Sequence, residues 1–234
     1  MLSSKKYYDY LSLDYKNHFN KRINYINSVN NLIFSNYKKF RFNNFLDIGT
    51  GDGFRFKIIK NKLKIKNFLL IEESRYFYKK IKQHFPKYRI INANFLKVKI
   101  KKNTFTHVSS LWNVLGHVKN KNLFIKKVKS ILKVDGFFIF DVNNRFNIKN
   151  YGFFSFLINL LKNILLLRNA AYFKLEVNNK KTKVYISTVK EIISLLEENG
   201  FKVEVIKYVD YLTGKIHPHQ FFGQIFIIAK KVKV

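Results

Sequence analysis

The chain has 234 residues, no cysteine, and 45 Lys and Arg against 14 Asp and Glu, a formal net charge of +31. Without cysteine there can be no disulfide, thiolate metal site or cysteine nucleophile, which fits a reducing compartment. The charge points toward nucleic acid, but lysine outnumbers arginine 38 to 7 and the lysines run from Lys5 to Lys233 without clustering. Bidentate phosphate and base contacts favour arginine, so the abundance of Lys, Asn, Ile, Phe and Tyr reads as the codon composition of an A/T-rich genome.

The N-terminus has no apolar h-region and carries early acids, so it does not read as a secretory signal, and a cytoplasmic location is expected. Over residues 5–40, Leu11, Tyr15, Phe19, Ile23, Ile26, Val29 and Ile33 fall at helical spacing, which predicts one or two helices. Apolar strand candidates then alternate with helical patterns. Strands are predicted at 45–49, 67–74, 88–94, 105–112 and 136–142, the last preceded by an Asp135-Gly136 turn signal. Helices are predicted from about Gly53 to Leu63, over 76–85 and over 121–133. A helix over 188–199, ended by Gly200, leads to two long strands at 201–211 and 223–230 with no helix between them.

Near-continuous apolar strands separated by helices mark a parallel sheet covered on both faces. The expected fold is therefore α/β: a doubly wound, mostly parallel sheet of seven strands with a C-terminal antiparallel hairpin. One domain spans 1–234, with an N-terminal helical cover over 1–42 and an insertion or lid over 144–187, which includes a lysine-rich turn, NNKKTK, at 178–183. Within that insertion, 153–167 is strongly apolar but only 15 residues long, short of the roughly 20 a membrane span needs. Ser155, Asn159, Lys162 and Asn163 share one helical face. The segment reads as a helix packed on the core; a lid, a dimer contact and a helix lying in a membrane surface are the alternatives.

Residues 43–53 read NNFLDIGTGDG. A strand, a glycine-rich turn and a helix N-terminus together make a nucleotide site. The dinucleotide pattern GxGxxG would need a third glycine where Phe54 stands. Asp52 would also repel a pyrophosphate, whereas an acid suits an ammonium or sulfonium ligand. That favours S-adenosylmethionine over NAD.

LDIGTGDG resembles the first motif, D/ExGxGxG, of the class I S-adenosylmethionine-dependent methyltransferases, and the similarity extends over roughly 45–143 and 187–231. The resemblance implies S-adenosylmethionine as cofactor, with Asp47, Gly49, Gly51 and Gly53 around its methionine and ribose. Glu72, 23 positions after Gly49, would accept both ribose hydroxyls, as a carboxylate can. Glu73 departs from the family's apolar residue beside the adenine. Asn94 matches the acid that reads the adenine amino group, and Phe95 would pack on the ring. Leu111 or Ser110 would offer a carbonyl to the methionine ammonium, and Trp112, Asn113 and His117 would line the acceptor side.

The segment SSLWNVLGHVKN is similar to small-molecule N- and O-methyltransferases, and no NPPY-type signature is present. The implied reaction is methyl transfer to a nitrogen or oxygen of a small molecule. An RNA methyltransferase using the basic surface, and a non-catalytic cofactor-fold partner protein, remain as alternatives; the oligomeric state stays open. His117 could be a general base, given an ordinary pKa of about 6.5, or a structural residue. Methyl transfer can also proceed by alignment alone. In the loop 210–224, Tyr211 and His217 are candidate substrate contacts. His217 and His219 with Asp210 lack further ligands at a recognisable spacing, so no metal is assigned. Tyr7, Tyr8, Tyr10 and Tyr15 belong either to a helix closing over the cofactor or to a stable helix face.

Overall fold

The computed structural model describes residues 3–11, 15–36, 44–164, 172–177 and 180–233. Three helices come first: α1 (Ser4–Leu11), α2 (Tyr15–Asn20) and α3 (Ile23–Ser35). Then β1 (Asn44–Ile48), α4 (Phe54–Lys62), β2 (Asn67–Glu72), α5 (Arg75–His84), β3 (Ile90–Asn92) and β4 (Phe105–Ser110) follow. Next are α6 (Lys121–Ile131), β5 (Leu132–Val142), α7 (Ile148–Tyr151), α8 (Phe153–Ile164), β6 (Tyr172–Val177) and β7 (Lys180–Tyr185). The chain closes with α9 (Val189–Glu198), β8 (Phe201–Val209), β9 (Ile216–His217) and β10 (Gln224–Lys231).

The main sheet has the order β3-β2-β1-β4-β5-β10-β8-β9. β1 to β5 are parallel to one another, and β10 runs antiparallel to both β5 and β8. The expected doubly wound sheet with its terminal hairpin is present. Among the described residues it has eight strands rather than seven, because Ile216 and His217 add a short edge strand to Tyr208 and Val209.

Both faces of this sheet are buried, and the period-2 alternation of strand side chains sorts them. Along β10, Ile225, Ile227 and Ala229 join a cluster with α6 and α9. Phe226 and Ile228 join the opposite cluster with α3 and α4. In β5, Phe138, Phe140 and Val142 point one way and Ile139 the other. Capping fixes the helix starts. Ser74 Oγ accepts the Phe77 amide at α5, Asn120 Oδ1 accepts the Leu123 amide at α6, and Thr188 with Glu191 forms a capping box at α9.

Four further differences from the sequence expectation have local causes. β3 ends at Asn92 because Asn94 caps a short 3-10 turn over Phe95–Lys97. The Asp135-Gly136 signal lies inside β5 as a bulge: Asp135 has φ 62, and Phe105 pairs with Leu132 while His107 pairs with Phe137. Residues Lys180–Lys183, expected in a turn, belong to β7, which forms a two-stranded hairpin with β6. α8 packs on the body only in part: Phe156 lies against Phe146 and Phe221 and Asn159 donates to the Arg145 carbonyl, while Phe153, Phe154, Ile158 and Leu161 are exposed. Residues 165–167 of that predicted helix and 37–40 of the N-terminal one lie outside the described residues. No helix among the described residues is long and apolar enough to cross a membrane.

Candidate active site

Three strands of the sheet carry a buried acid at their carboxyl end or one residue before it. Asp47 in β1, Glu72 in β2 and Asp141 in β5 are 8%, 7% and 1% exposed. In an open α/β sheet, ligands bind outside the carboxyl ends of the strands, so these acids frame the expected site.

Glu72 binds the first loop. Its Oε2 accepts the Gly51 amide and its Oε1 the Ser74 amide, both at 2.8 Å. Each oxygen keeps a second lone pair. Burial is the main influence on its pKa, and with Asp47 and Glu73 nearby it outweighs the two amides, pushing the carboxyl up to about 7. Asp47 sits behind the loop and accepts a short hydrogen bond from Ser109 Oγ. Burial raises its pKa against Ser109, Thr50 and the Arg55 charge.

The loop glycines adopt φ of 71°, 62° and 82° at Gly49, Gly51 and Gly53, where only glycine is unstrained. A Cβ at Gly49 would lie 2.5 Å from Val114 Cγ2, and one at Gly51 2.9 Å from the Tyr15 hydroxyl. Gly53 differs: it caps α4 and faces Ile81 and Phe85 of the neighbouring α5 region.

Asp141 shapes the loop after β4. Trp112 and Asn113 both adopt left-handed backbone, φ 67° and 57°. Asp141 Oδ2 accepts the Trp112 amide at 2.9 Å, and Oδ1 accepts the Asn113 amide in a shorter bond. Two such residues cost about 1–3 kcal/mol each, and charge-assisted bonds to a buried carboxylate offset this. Asn113 Oδ1 in turn accepts the Asn143 amide. Trp112 Nε1 donates to the Tyr211 hydroxyl at 2.9 Å, and the Arg22 guanidinium stacks 4.6 Å from the Tyr211 ring centroid.

The N-terminal helices close this framework. The Tyr8 hydroxyl lies 2.8 Å from His117 Nε2, and Ser74 Oγ donates to Asp9 of α1. Burial pushes the His117 pKa down to about 4, so its ring is neutral and weakly basic at physiological pH, and burial is also the first cause of a raised Tyr8 pKa.

A cavity of about 690 Å³ runs through the site. Asp47, Gly49, Gly51, Glu72, Asn94 and Phe95 line one part of it, and Leu111, Trp112, Asn113, His117 and Tyr211 another. Asn94 is engaged on both sides, its Oδ1 accepting the Leu96 amide and its Nδ2 donating to Glu73. Three candidates, Gly53, Ser110 and His217, fall outside the cavity lining. Gly53 is a helix-packing position. His217 pairs with Tyr208 in the edge strand, its ring 5.3 Å from Phe222. Asp210 is occupied by Lys149, Leu212 and Thr213. Burial raises its pKa, but these donors outweigh it and hold the carboxyl well below the ordinary range.

Sequence reasoning missed Asp141, Arg22 and Arg55. The signal for Asp141 was visible: a lone acid closing an apolar strand, as at Asp47 and Glu72. Arg22 and Arg55 carry no local signature, because they reach the cavity only when α3 and α4 pack together.

The donor loop and carboxylate fit an adenosyl ligand: two glycines permit close backbone approach, and Glu72 keeps two free lone pairs beside them. Residues 46–140 match the family described as a methyltransferase domain. An uncharacterized protein of Methanocaldococcus jannaschii, MJ1252, is 29% identical over 98% of this chain and 91% of its own. An S-adenosylmethionine-dependent methyltransferase from Clostridium acetobutylicum has the same fold, with TM-score 0.66 over 95% of this chain and 99% of its own at 13% identity. So does a chain from the Haloferax volcanii complex between the Trm112 methyltransferase activator and a methyltransferase, with TM-score 0.68 over the full length of both at 12% identity. Residues 46–140 thus match a methyltransferase domain, and the chain as a whole has the fold of S-adenosylmethionine-dependent methyltransferases.

Proposed function

We propose that the protein transfers a methyl group from S-adenosylmethionine to a nitrogen or oxygen of a small molecule, as one unit over residues 1–234. The observation that carries this reading is the single cavity of about 690 Å³ joining the glycine loop and Glu72 to Trp112, Asn113 and Tyr211. That volume lies in the range of small-molecule sites. The covering of the cavity by α1, with Tyr8 on His117 and Asp9 on Ser74, also supports a compact acceptor over a polymer.

In this reading Asp47, Gly49 and Gly51 hold the methionine and ribose portions of the cofactor. Glu72 takes the ribose hydroxyls on its two remaining lone pairs, Asn94 and Phe95 take the adenine, and the Leu111 carbonyl takes the ammonium. The bound cofactor supplies an electrophilic methyl carbon. Trp112, Asn113 and Tyr211 position the acceptor, and α1 excludes water. His117 serves as a positioning residue that holds Tyr8, since a base with a pKa near 4 takes protons poorly at neutral pH.

Tritium-methyl S-adenosylmethionine, the purified protein and an extract of the source cell test this. Label is expected in acid-soluble small molecules. Label in RNA, removed by ribonuclease, would make the +31 charge functional and replace the small-molecule reading.

The outward apolar face of α8 supports a further property, attachment to an anionic membrane surface. Phe153, Phe154, Ile158 and Leu161 form an exposed stripe. The 144–187 segment that carries it has eight Lys and Arg against one Glu, the combination of an interfacial helix. Flotation with vesicles containing phosphatidylserine should recover the protein, and Phe154→Ser with Leu161→Ser should abolish recovery. Equal flotation of the wild type with neutral vesicles would remove the charge argument.

A further inference from the structure

Arg55, in the first turn of α4, is 8% exposed and lines the cavity. Its Nε donates to Asn30 Oδ1 at 3.1 Å, but neither Nη1 nor Nη2 has an acceptor. Asn30, 2% exposed on α3, has an unpartnered Nδ2 as well. Three buried nitrogens at one point are thus all donors, and all lack an acceptor. Buried donors are ordinarily paired, and a guanidinium most of all.

Composition sharpens this. Only 7 of the 45 basic residues are arginine, yet Arg22 and Arg55 both line this cavity. Arginine presents a planar fork that matches a carboxylate or phosphate in a way that lysine does not. Arg55 is bonded to Asn30 of α3, and Tyr25 of the same helix lies with its ring 5.2 Å from that of Tyr211, the partner of Trp112, while the Arg55 charge also reaches Asp47 behind the glycine loop.

We infer that Arg55 and Asn30 form a subsite for an anionic group, of carboxylate or phosphate type, carried by the methyl acceptor. This rests on the reading of the cavity as a methyl-transfer site. The subsite selects acceptors with a negative group on the α4 side, and Arg22 adds a second positive charge at the same cavity.

Inorganic phosphate is the probe, with thermal melting and calorimetry as readouts and sodium chloride at matched ionic strength as the control, because any anion screens a chain of +31. With S-adenosylhomocysteine bound, 10 mM phosphate is expected to raise the melting midpoint by about 4 °C for a millimolar site. Arg55→Met should abolish the shift, and Arg75→Met, on an exposed arginine of α5, should keep it. Asn30→Asp keeps the shape of the side chain and supplies an internal carboxylate to Arg55. It should raise the midpoint without phosphate and remove the response to it.

Three outcomes overturn the inference. No specific phosphate effect on the wild type would leave Arg55 a structural residue. A phosphate effect lost on loading S-adenosylhomocysteine but kept with 5′-methylthioadenosine would give the subsite to the cofactor's own carboxylate. Failure of S-adenosylhomocysteine itself to bind would instead sink the reading of the cavity on which the subsite depends.

Discussion

Tyr8 and His117 meet at 2.8 Å across 109 positions of sequence, and this bond ties α1 to the loop that follows β4. Both groups are half-buried beside the cavity, so removing the hydroxyl loses a bond that water replaces only in part. Tyr8→Phe should cost about 1–2 kcal/mol, felt mainly in the docking of α1. Hydrogen exchange of the amides in 4–11 should quicken by about tenfold, since each 1.4 kcal/mol is a factor of ten, and the cofactor should dissociate faster. Unchanged exchange and an unchanged off-rate would show that Asp9 and the α1 aromatics hold the helix without this bond.

Asp141 supports the loop after β4, because one carboxylate fixes two consecutive left-handed residues, Trp112 and Asn113. Asp141→Asn keeps the shape but turns an NH₂ group toward one of those amides. The loss should be about 3 kcal/mol, with a melting midpoint lower by roughly 6–12 °C. Trp112 is the sole tryptophan of the chain, so its fluorescence reports the same event. Its emission should shift to longer wavelength in the variant as the bond to Tyr211 loosens. A lower midpoint with unchanged emission would place the damage elsewhere in β5.

The sheet was legible in the sequence because its strands are apolar on both faces, and the glycine loop was legible because its backbone requirement is local. Glu72 followed from the resemblance, which implies an acid at the end of that strand. Asp141 stands near a strand end as well, yet its partners are amides 28 and 29 positions away that no local pattern announces. α8 misled for a different reason. Helical periodicity finds the two faces, but which face meets the body depends on the neighbours, and here Asn159 finds a carbonyl of Arg145. The β6–β7 hairpin was hidden by lysines that read as a turn when their strand partner was unknown. Arg55 and Asn30 lie on separate helices, so their shared lack of acceptors exists only in three dimensions.

The loop glycines divide into two kinds, and alanine separates them. At Gly49 and Gly53 alike, a positive φ costs an L-residue about 1–2 kcal/mol. Gly49→Ala also drives Cβ to 2.5 Å from Val114 across the cavity, whereas Gly53→Ala meets Ile81 and Phe85 at 3.2–3.3 Å in the helix layer. Gly49→Ala should therefore weaken S-adenosylhomocysteine binding more than tenfold, and addition of Val114→Ala should restore part of it. Gly53→Ala should lose stability but hold its affinity within about threefold. Equal losses of affinity in calorimetry would return Gly53 to the cofactor site.

Glu72 couples stability and binding to pH in opposite directions. Its folded-state pKa of about 7 lies above the ordinary 4.5, so the folded chain holds this proton more tightly than the unfolded one. The stabilisation is complete below about 4.5 and is lost as pH rises through about 7, by roughly 3 kcal/mol in all. Comparing urea midpoints of the wild type with Glu72→Gln between pH 5 and 8 isolates this slope from other groups. Ribose hydroxyls, by contrast, donate to the ionised carboxylate, so affinity for S-adenosylhomocysteine should rise by up to about tenfold per pH unit below 7 and level off above it. The protein should thus bind its cofactor best where Glu72 most destabilises the free chain, and binding should restore the lost stability by drawing the pKa back down. If affinity is flat from pH 5.5 to 8 while the stability slope persists, the carboxylate titrates as expected but does not receive the ribose.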